Sequence, residues 1–383
     1  MKILFVSDFL SSIHEYRFLL KMSEKYKIFV FSFEEIQPPE RIRNLKCIKV
    51  FHLPVKENLF DKNDNFISKT IKTIKIKINF ILKYYYLRHL IREVKPDILH
   101  AGWVQNSGYL SALTNYHPFL LMPWGCDINT RPFINKRQMQ ITKYTLRKAD
   151  EITCDCEDLK NKIIDMSGFD KDRIIVFPWG AELDIFNPEN RDDDLKKKLG
   201  WQDNKIVIIT RSFEKIYGID YLLNAIPKVV KNVPEARFIF CGDGPDKEIL
   251  AKIADDLSIM DCIKFQGRVN SSELPHYLNA ADLYVSTSLS DGSSVSLLEA
   301  MACSKPVVVS DVPSNLEWIV EGKGGYVVPR KDSVILAERI TALLKNDDLR
   351  KKMGQFNLQI ALDRADWDKN FDKLVTMYER LSR

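Results

Sequence analysis

Short runs of β-branched and aromatic residues recur along the chain with helix-length stretches between them: Ile3–Val6, Ile28–Phe31, Ile48–Val50, Ile98–His100, Phe119–Met122 and Ile174–Phe177. That alternation predicts βαβ units on a parallel sheet. The rhythm restarts after Pro188 with Ile206–Thr210, Phe238–Cys241, Ile263–Phe265, Leu283–Ser286, Pro306–Ser310 and Gly325–Val328. The expected fold class is α/β, with two Rossmann-like doubly wound domains over residues 1–184 and 185–362. Asp184–Asp194, polar and containing a proline, reads as the linker. Its acidic triple Asp192–Asp194 suits the start of a helix at Leu195, where carboxylates meet the positive dipole end. Residues 363–383 carry Trp367, Phe371, Leu374, Met377, Tyr378 and Leu381 at helical spacing, which predicts an amphipathic closing helix that packs back on the N-terminal domain.

Length agrees with two domains, since 383 residues exceed what one core usually serves. The first apolar run stops at Ser7 and Asp8, so the start reads as a strand rather than a signal peptide. No apolar stretch approaches the ~18 residues of a membrane span. Seven scattered cysteines without CxxC spacing argue against a disulfide framework and a zinc site, and point to a reducing, cytoplasmic setting. A net charge of +5 is too mild for a nucleic-acid-binding domain.

The charge is unevenly spread, however. Residues 69–95 hold eight Lys or Arg and one acid, Glu93. Ile67, Ile71, Ile74, Ile78, Ile81 and Tyr85 fall on one helical face, with Lys69, Lys72 and Lys83 opposite. This is the pattern of an interfacial helix over 66–95 attracted to anionic lipid, with Tyr84–Tyr86 at headgroup depth. A core helix with a solvated basic back has the same pattern. The first reading places the protein peripherally on the inner face of the plasma membrane, with a lipid or lipid-linked glycan as acceptor.

Ligands of open parallel sheets sit beyond the carboxyl ends of the strands. There the chain places Ser288-Leu-Ser-Asp291-Gly292-Ser293-Ser294-Val295, a small-residue loop opening a helix, whose free amides and dipole suit a diphosphate. Asp291 in the loop and Glu299 farther along the helix are acceptor-only groups suited to sugar hydroxyls. An ordinary N-cap loop with a surface glutamate would look the same.

This stretch resembles the acidic-x7-Glu signature of family 4 of the retaining glycosyltransferases. The similarity extends to Phe265-Gln-Gly267-Arg-Val269, Ala281–Ser288, Lys305–Pro313, Gly322–Val328 and Gly242-Asp-Gly-Pro245, which together span the second domain. The resemblance implies the GT-B arrangement, two Rossmann-like domains facing across a cleft, with the second binding a nucleotide-sugar donor and the first an acceptor glycan or lipid-linked glycan. It implies that Glu299 holds the ribose diol, that Asp291 meets the sugar, that amides of Gly292, Ser293, Ser294 and Val295 meet phosphate or sugar, and that backbone at Val269 meets the base. The loop at Gly242 belongs to the same donor site. The family has Glu where this chain has Asp291. It also places an Arg and a Lys after the first strand of this domain to neutralise the diphosphate. Arg211 fits; Lys215 falls two residues early, and Tyr217 occupies the usual place. Either Lys215 reaches over or the tyrosine substitutes for the cation.

The first domain resembles the family less. Asp8–His14 carries serines where glycines are common, and His14 is a candidate for acceptor binding or proton traffic. Trp124-Gly125-Cys-Asp127 resembles a loop facing the cleft, with Asp127 as a candidate contact to sugar or acceptor; helix capping is its other reading. His100 and the hinge-like Pro178–Phe186 read as structural. The implied reaction is retaining hexosyl transfer, in which the leaving phosphate takes the acceptor proton and no metal or other cofactor takes part. A sugar-nucleotide epimerase of the same build and a silent nucleotide-sugar-binding protein are the alternatives. A dehydrogenase is disfavoured, since no GxGxxG follows Val6 or Thr210.

Overall fold

The computed structural model describes residues 1–10, 12–34, 40–45, 47–53 and 66–382, with side chains at all of these but 41, 43 and 66–75. The chain forms two compact units. The first comprises Met1–Asp155, Leu159–Val176 and Lys373–Arg383, and the second Cys156–Asp158 and Phe177–Asp372.

The first unit is built on β1 (Lys2–Ser7), β2 (Lys27–Ser32), β3 (Ile48–His52), β4 (Ile98–Ala101), β5 (Phe119–Leu121), β6 (Glu151–Cys154) and β7 (Ile174–Val176). These pair in parallel in the order β3-β2-β1-β4-β5-β6-β7. Leu4 of β1 lies between Phe29 of β2 and Leu99 of β4, and all three tie the sheet at its middle. The sequence pattern missed β6. Glu151-Ile-Thr-Cys154 has one large aliphatic residue, so it lacks the run that marks the other strands, and its pairing with Leu120 and Leu121 supplies the strand instead.

The second unit has β8 (Lys205–Ile209), β9 (Ala236–Cys241), β10 (Ile263–Gly267), β11 (Leu283–Ser286), β12 (Val307–Ser310) and β13 (Gly325–Val328). They too are parallel, in the order β10-β9-β8-β11-β12-β13. Side chains alternate between the two faces of a strand. Val207, Ile209, Phe238 and Phe240 accordingly enter one core, and Ile206, Ile208, Ile239 and Cys241 the other. The sheet is thus covered on both sides, as parallel sheets require.

After Val176 the chain passes into the second unit, which includes Pro178–Phe186. The cause is backbone pairing: Ala181 N–H donates to Ala365 O at 2.7 Å and Trp367 N–H to Ala181 O at 3.0 Å. A side chain at Gly180 would stand 2.4 Å from Ala365 O, so only glycine permits this approach. After Asp192–Asp194 a short helix, Leu195–Lys198, does begin; Asp194 caps it without a side-chain bond, and Asp192 instead pairs with Lys198 at 2.7 Å. The closing helix runs Trp367–Leu381, with Trp367, Phe371, Leu374, Met377 and Tyr378 buried. From Lys373 onward it belongs to the first unit, where the Tyr378 hydroxyl lies 2.5 Å from His100 Nδ1.

The basic helix spans Phe66–Val94. Of its predicted apolar face, Ile67, Ile71 and Ile74 lie outside the described side chains, as do Lys69 and Lys72. Ile78, Ile81 and Tyr85 are exposed, together with Ile76 and Leu82, while Leu87, Leu90 and Val94 are buried. The face read as apolar therefore does not pack on the core over 76–85. Lys83, placed opposite it, turns inward, its Nζ 4.5 Å from the centre of the Phe33 ring. No helix among the described residues is long and apolar enough to cross a membrane.

Candidate active site

In a doubly wound sheet the strand order reverses at one point, and the two loops that leave the sheet there diverge and open a crevice. In the second unit the reversal lies between β8 and β11, and the loops are Thr210–Gly218 and Thr287–Ser294. Arg211 leaves β8 at this point. Its Nη1 donates to Ser294 Oγ at 2.8 Å and Ser296 Oγ at 3.0 Å, and its Nη2 donates to Asp291 Oδ2 at 2.5 Å. Tyr217 lies against the guanidinium, 4.0 Å from ring centre to guanidinium carbon. Tyr284 donates to Ser296 Oγ at 3.1 Å beneath them. Arg211 Nε is buried without a hydrogen-bond partner among the described residues. Burial pushes the Asp291 carboxyl up from its ordinary value, and the Arg211 guanidinium opposes that rise.

The loop itself is fixed from behind. Trp318 Nε1 donates to Ser293 Oγ at 3.0 Å, and Ser310 Oγ donates to Ser288 O at 2.5 Å. Gly292, Ser293 and Ser294 are buried and lead into the helix Val295–Ala302, where Val295 and Glu299 are half-buried one turn apart. Gly242 acts by close approach: a Cβ there would stand 2.0 Å from Arg211 O. The loop after β9 thus rests on the backbone that carries Arg211, and Phe213 N–H donates to Asp243 O at 3.0 Å. Val269 is half-buried and packs against the core that holds Leu297, Leu298 and Trp318. Lys215 is exposed, in a single 3-10 turn that ends on Tyr217. The structure therefore gathers Arg211, Asp291, Ser294 and Tyr217 and leaves Lys215 outside that cluster.

The first sheet reverses between β1 and β4. Here Asp8, just past β1, accepts from the Ser107 amide at 3.2 Å and from the Ser107 hydroxyl, in a π-helical turn, Val104–Gly108. The Ser7 hydroxyl donates to buried Glu15. Burial raises Asp8 to about 6 and Glu15 to about 8. Sequence reasoning passed over both acids and chose His14, which is exposed in the first turn of the helix Ile13–Ser23. The available signal was position, since both acids follow the strand that borders the reversal.

Asp127 is fully buried. Its Oδ1 accepts from Trp124 N–H at 2.9 Å and its Oδ2 from Val104 N–H at 3.1 Å, and burial raises it to about 6. The carboxylate joins the loop after β5 to the loop after β4. Both oxygens thus accept from backbone amides, the geometry of the structural reading of Asp127. No group of three or more His, Cys, Asp or Glu side chains that could hold a metal ion occurs among the described residues.

The architecture of two parallel doubly wound units, one with an arginine and a carboxylate paired at its switch point, recurs in solved proteins. The fold is shared over the full length of this chain with sucrose-phosphate synthase from Thermosynechococcus elongatus (TM-score 0.82, 15% identity, 99% of that chain). It is shared equally with Anabaena HepE solved in complex with UDP-glucose (TM-score 0.81, 17% identity, 100% of both chains). The family described as "Glycosyl transferases group 1" matches residues 191–360, and "Glycosyl transferase 4-like" matches residues 2–156. Among curated relatives, the putative teichuronic acid biosynthesis glycosyltransferase TuaC of Bacillus subtilis is 26% identical over 297 residues, 76% of this chain and 72% of that one. The chain belongs to the group 1 glycosyltransferases, and it is an enzyme of sugar transfer.

Proposed function

We propose that the chain moves a hexose from a UDP- or GDP-sugar to a hydroxyl of a glycan or lipid-linked acceptor with retention of configuration. The observation that supports this most is Arg211, a buried guanidinium at the switch point of the second sheet, beside the amino end of the helix Val295–Ala302. Arg211 and the amides of Gly292–Val295 hold the diphosphate, Asp291 the sugar hydroxyls, Glu299 the ribose and backbone at Val269 the base. The C1–O bond to the diphosphate breaks as the acceptor oxygen bonds to C1 from the same face. The acceptor proton passes to the departing phosphate oxygen. A preorganised donor at the developing charge is worth about 3–4 kcal/mol, against about 0–1 kcal/mol for a surface ion pair. On this reading the charge is met without a metal ion.

The acceptor belongs to an envelope polysaccharide or glycolipid, a reading supported by the name of the B. subtilis relative. It is also supported by a basic and apolar face of the first unit. The helix Phe66–Val94 exposes Ile76, Ile78, Ile81, Leu82 and Tyr85. Phe80 stacks on Tyr109, and Tyr109 meets Tyr144 of the helix Lys136–Lys148, which carries five Lys or Arg and no acid. Exposed aliphatic side chains beside basic helices suit an anionic bilayer.

Saturation-transfer NMR against UDP-, GDP- and ADP-sugars, with donor cleavage followed over hours, tests the proposal. Selective binding that is lost in Glu299→Ala, with slow cleavage in the wild type, is expected. Binding without turnover even with acceptors present would favour the silent binder, and interconversion of donor sugars the epimerase. Binding to no nucleotide sugar would overturn the reading.

A further inference from the structure

We propose that Tyr217 is a positioning residue that serves the diphosphate through Arg211, by the face of its ring rather than by its hydroxyl. The inference rests on the reading of Arg211 as the diphosphate cation. A guanidinium is planar, so its orientation is fixed only when both its edge and its face are held. The edge of Arg211 is held at Nη1 by Ser294 and Ser296 and at Nη2 by Asp291. The face is held by Tyr217, at the 4.0 Å separation of a cation–π contact.

The ring is placed by backbone, not by chance packing. Leu289 N–H donates to Ile216 O at 2.8 Å and Thr287 Oγ1 donates to Tyr217 O at 3.0 Å, so the turn Lys215–Tyr217 is pinned to the loop after β11. Gly218 completes the pin. Its φ is +56°, and a Cβ there would stand 2.5 Å from Thr287 O. The same loop carries Asp291. Tyr217 and Asp291 are thereby fixed relative to each other with Arg211 between them, and Arg211 needs no second cation to be held in place. Asp291 engages only Nη2, and Nε has no partner among the described residues. The Nε–Nη2 edge is therefore incompletely used, and the ring holds the guanidinium by its face.

The test is a double-mutant cycle at positions 217 and 211, read by calorimetric Kd for whichever of UDP, GDP or ADP the wild type binds best and by kcat for donor cleavage. Tyr217→Phe keeps the ring and is expected to stay within about twofold of wild type in both. Tyr217→Leu is expected to lose about 5–30-fold in kcat, the range from an exposed to a desolvated cation–π contact. In an Arg211→Lys background, where no planar face remains, the same Tyr217→Leu change is expected to cost under about twofold. Thermal melting of each variant checks folding, and the Phe variant carries the test if Leu does not fold. Loss in Tyr217→Phe equal to that in Tyr217→Leu would overturn the proposal in favour of a direct role for the hydroxyl. Equal loss from Tyr217→Leu in both backgrounds would overturn it in favour of a role independent of Arg211. If Arg211→Lys itself changes neither Kd nor kcat, the reading of Arg211 has failed, and the proposal about Tyr217 with it.

Discussion

The two sheets reverse at equivalent places, between first and fourth strands, yet the side chains that converge there differ in kind. At β8 and β11 a carboxylate, Asp291, stands against a guanidinium, Arg211, and hydroxyls fill the remaining positions. At β1 and β4 half-buried Asp8 and buried Glu15 lean on the hydroxyls of Ser107 and Ser7, and rise to about 6 and about 8. Topology decides where polar groups meet. Side-chain charge decides what they can receive. The second crevice holds an ion pair, Arg211 with Asp291, whereas the first holds two carboxyls, of which Glu15 keeps its proton at neutral pH and Asp8 is mostly ionised.

The largest effect should come from breaking the charge balance of the second crevice. Arg211→Ala is expected to slow donor cleavage by about 10²–10³-fold, the cost of removing one preorganised donor, measured as nucleoside diphosphate released. Asp291→Asn removes the countercharge and leaves the guanidinium buried alone. It should destabilise the ligand-free second unit by about 3 kcal/mol, with part of the loss recovered on adding the preferred nucleoside diphosphate. Calorimetric melting with and without nucleotide reads both halves. Equal destabilisation in both conditions would mean that nucleotide does not replace Asp291 at Arg211.

How far the sequence revealed these crevices differs between them. Strands with aliphatic runs were legible because burial on both faces demands them, and β6 was hidden because its neighbours, not its residues, make it a strand. In the second crevice the loop around Asp291 stood out through small residues and a helix start, and resemblance led to Arg211. The choice between Lys215 and Tyr217 could not be read, because it depends on the 3-10 turn that points one inward and leaves the other exposed. In the first crevice nothing local marks Asp8 or Glu15 as buried. Their environment follows from strand order, which brings Ser107 beside β1 across about a hundred residues of chain. Asp127 was visible as a candidate, but its partners, the amides of Trp124 and Val104, come from two separate loops.

A smaller effect sharpens the other side of the comparison. The ordinary carboxyl value for Glu15 is 4.5 and the folded value is about 8, so the native state keeps a proton that the unfolded chain has released. The resulting stability is fully present below 4.5 and is lost as pH rises toward 8. Asp8 and Asp127 have the same sign but finish near 6, which leaves the window from 6 to 8 to Glu15 among these three. Across it the difference in stability between wild type and Glu15→Gln should shift by about 2–3 kcal/mol against the wild type. Urea unfolding read peptide by peptide through hydrogen exchange measures it. Parallel slopes in variant and wild type would show that Glu15 is not protonated in the native crevice.

The smallest effect concerns how the first unit is closed. His100 is buried between Phe5, Phe18 and Tyr378, and burial lowers it to about 3 from an ordinary 6.5. The neutral imidazole shares a hydrogen bond with the Tyr378 hydroxyl at Nδ1; an imidazolium would place an uncompensated charge among aromatic rings. The stability it contributes is therefore present above 6.5 and falls as pH drops toward 3, opposite in sign to the carboxyls. From pH 6.5 to 5 the difference between wild type and His100→Gln should shift by about 2 kcal/mol against the wild type. Subtracting one protein from the other cancels Asp8 and Asp127, which titrate in the same range. Hydrogen exchange in the segment from Lys373 onward should report the loss first, since Tyr378 is its link to β4; a difference flat with pH would mean that the native histidine takes up its proton as readily as the unfolded one.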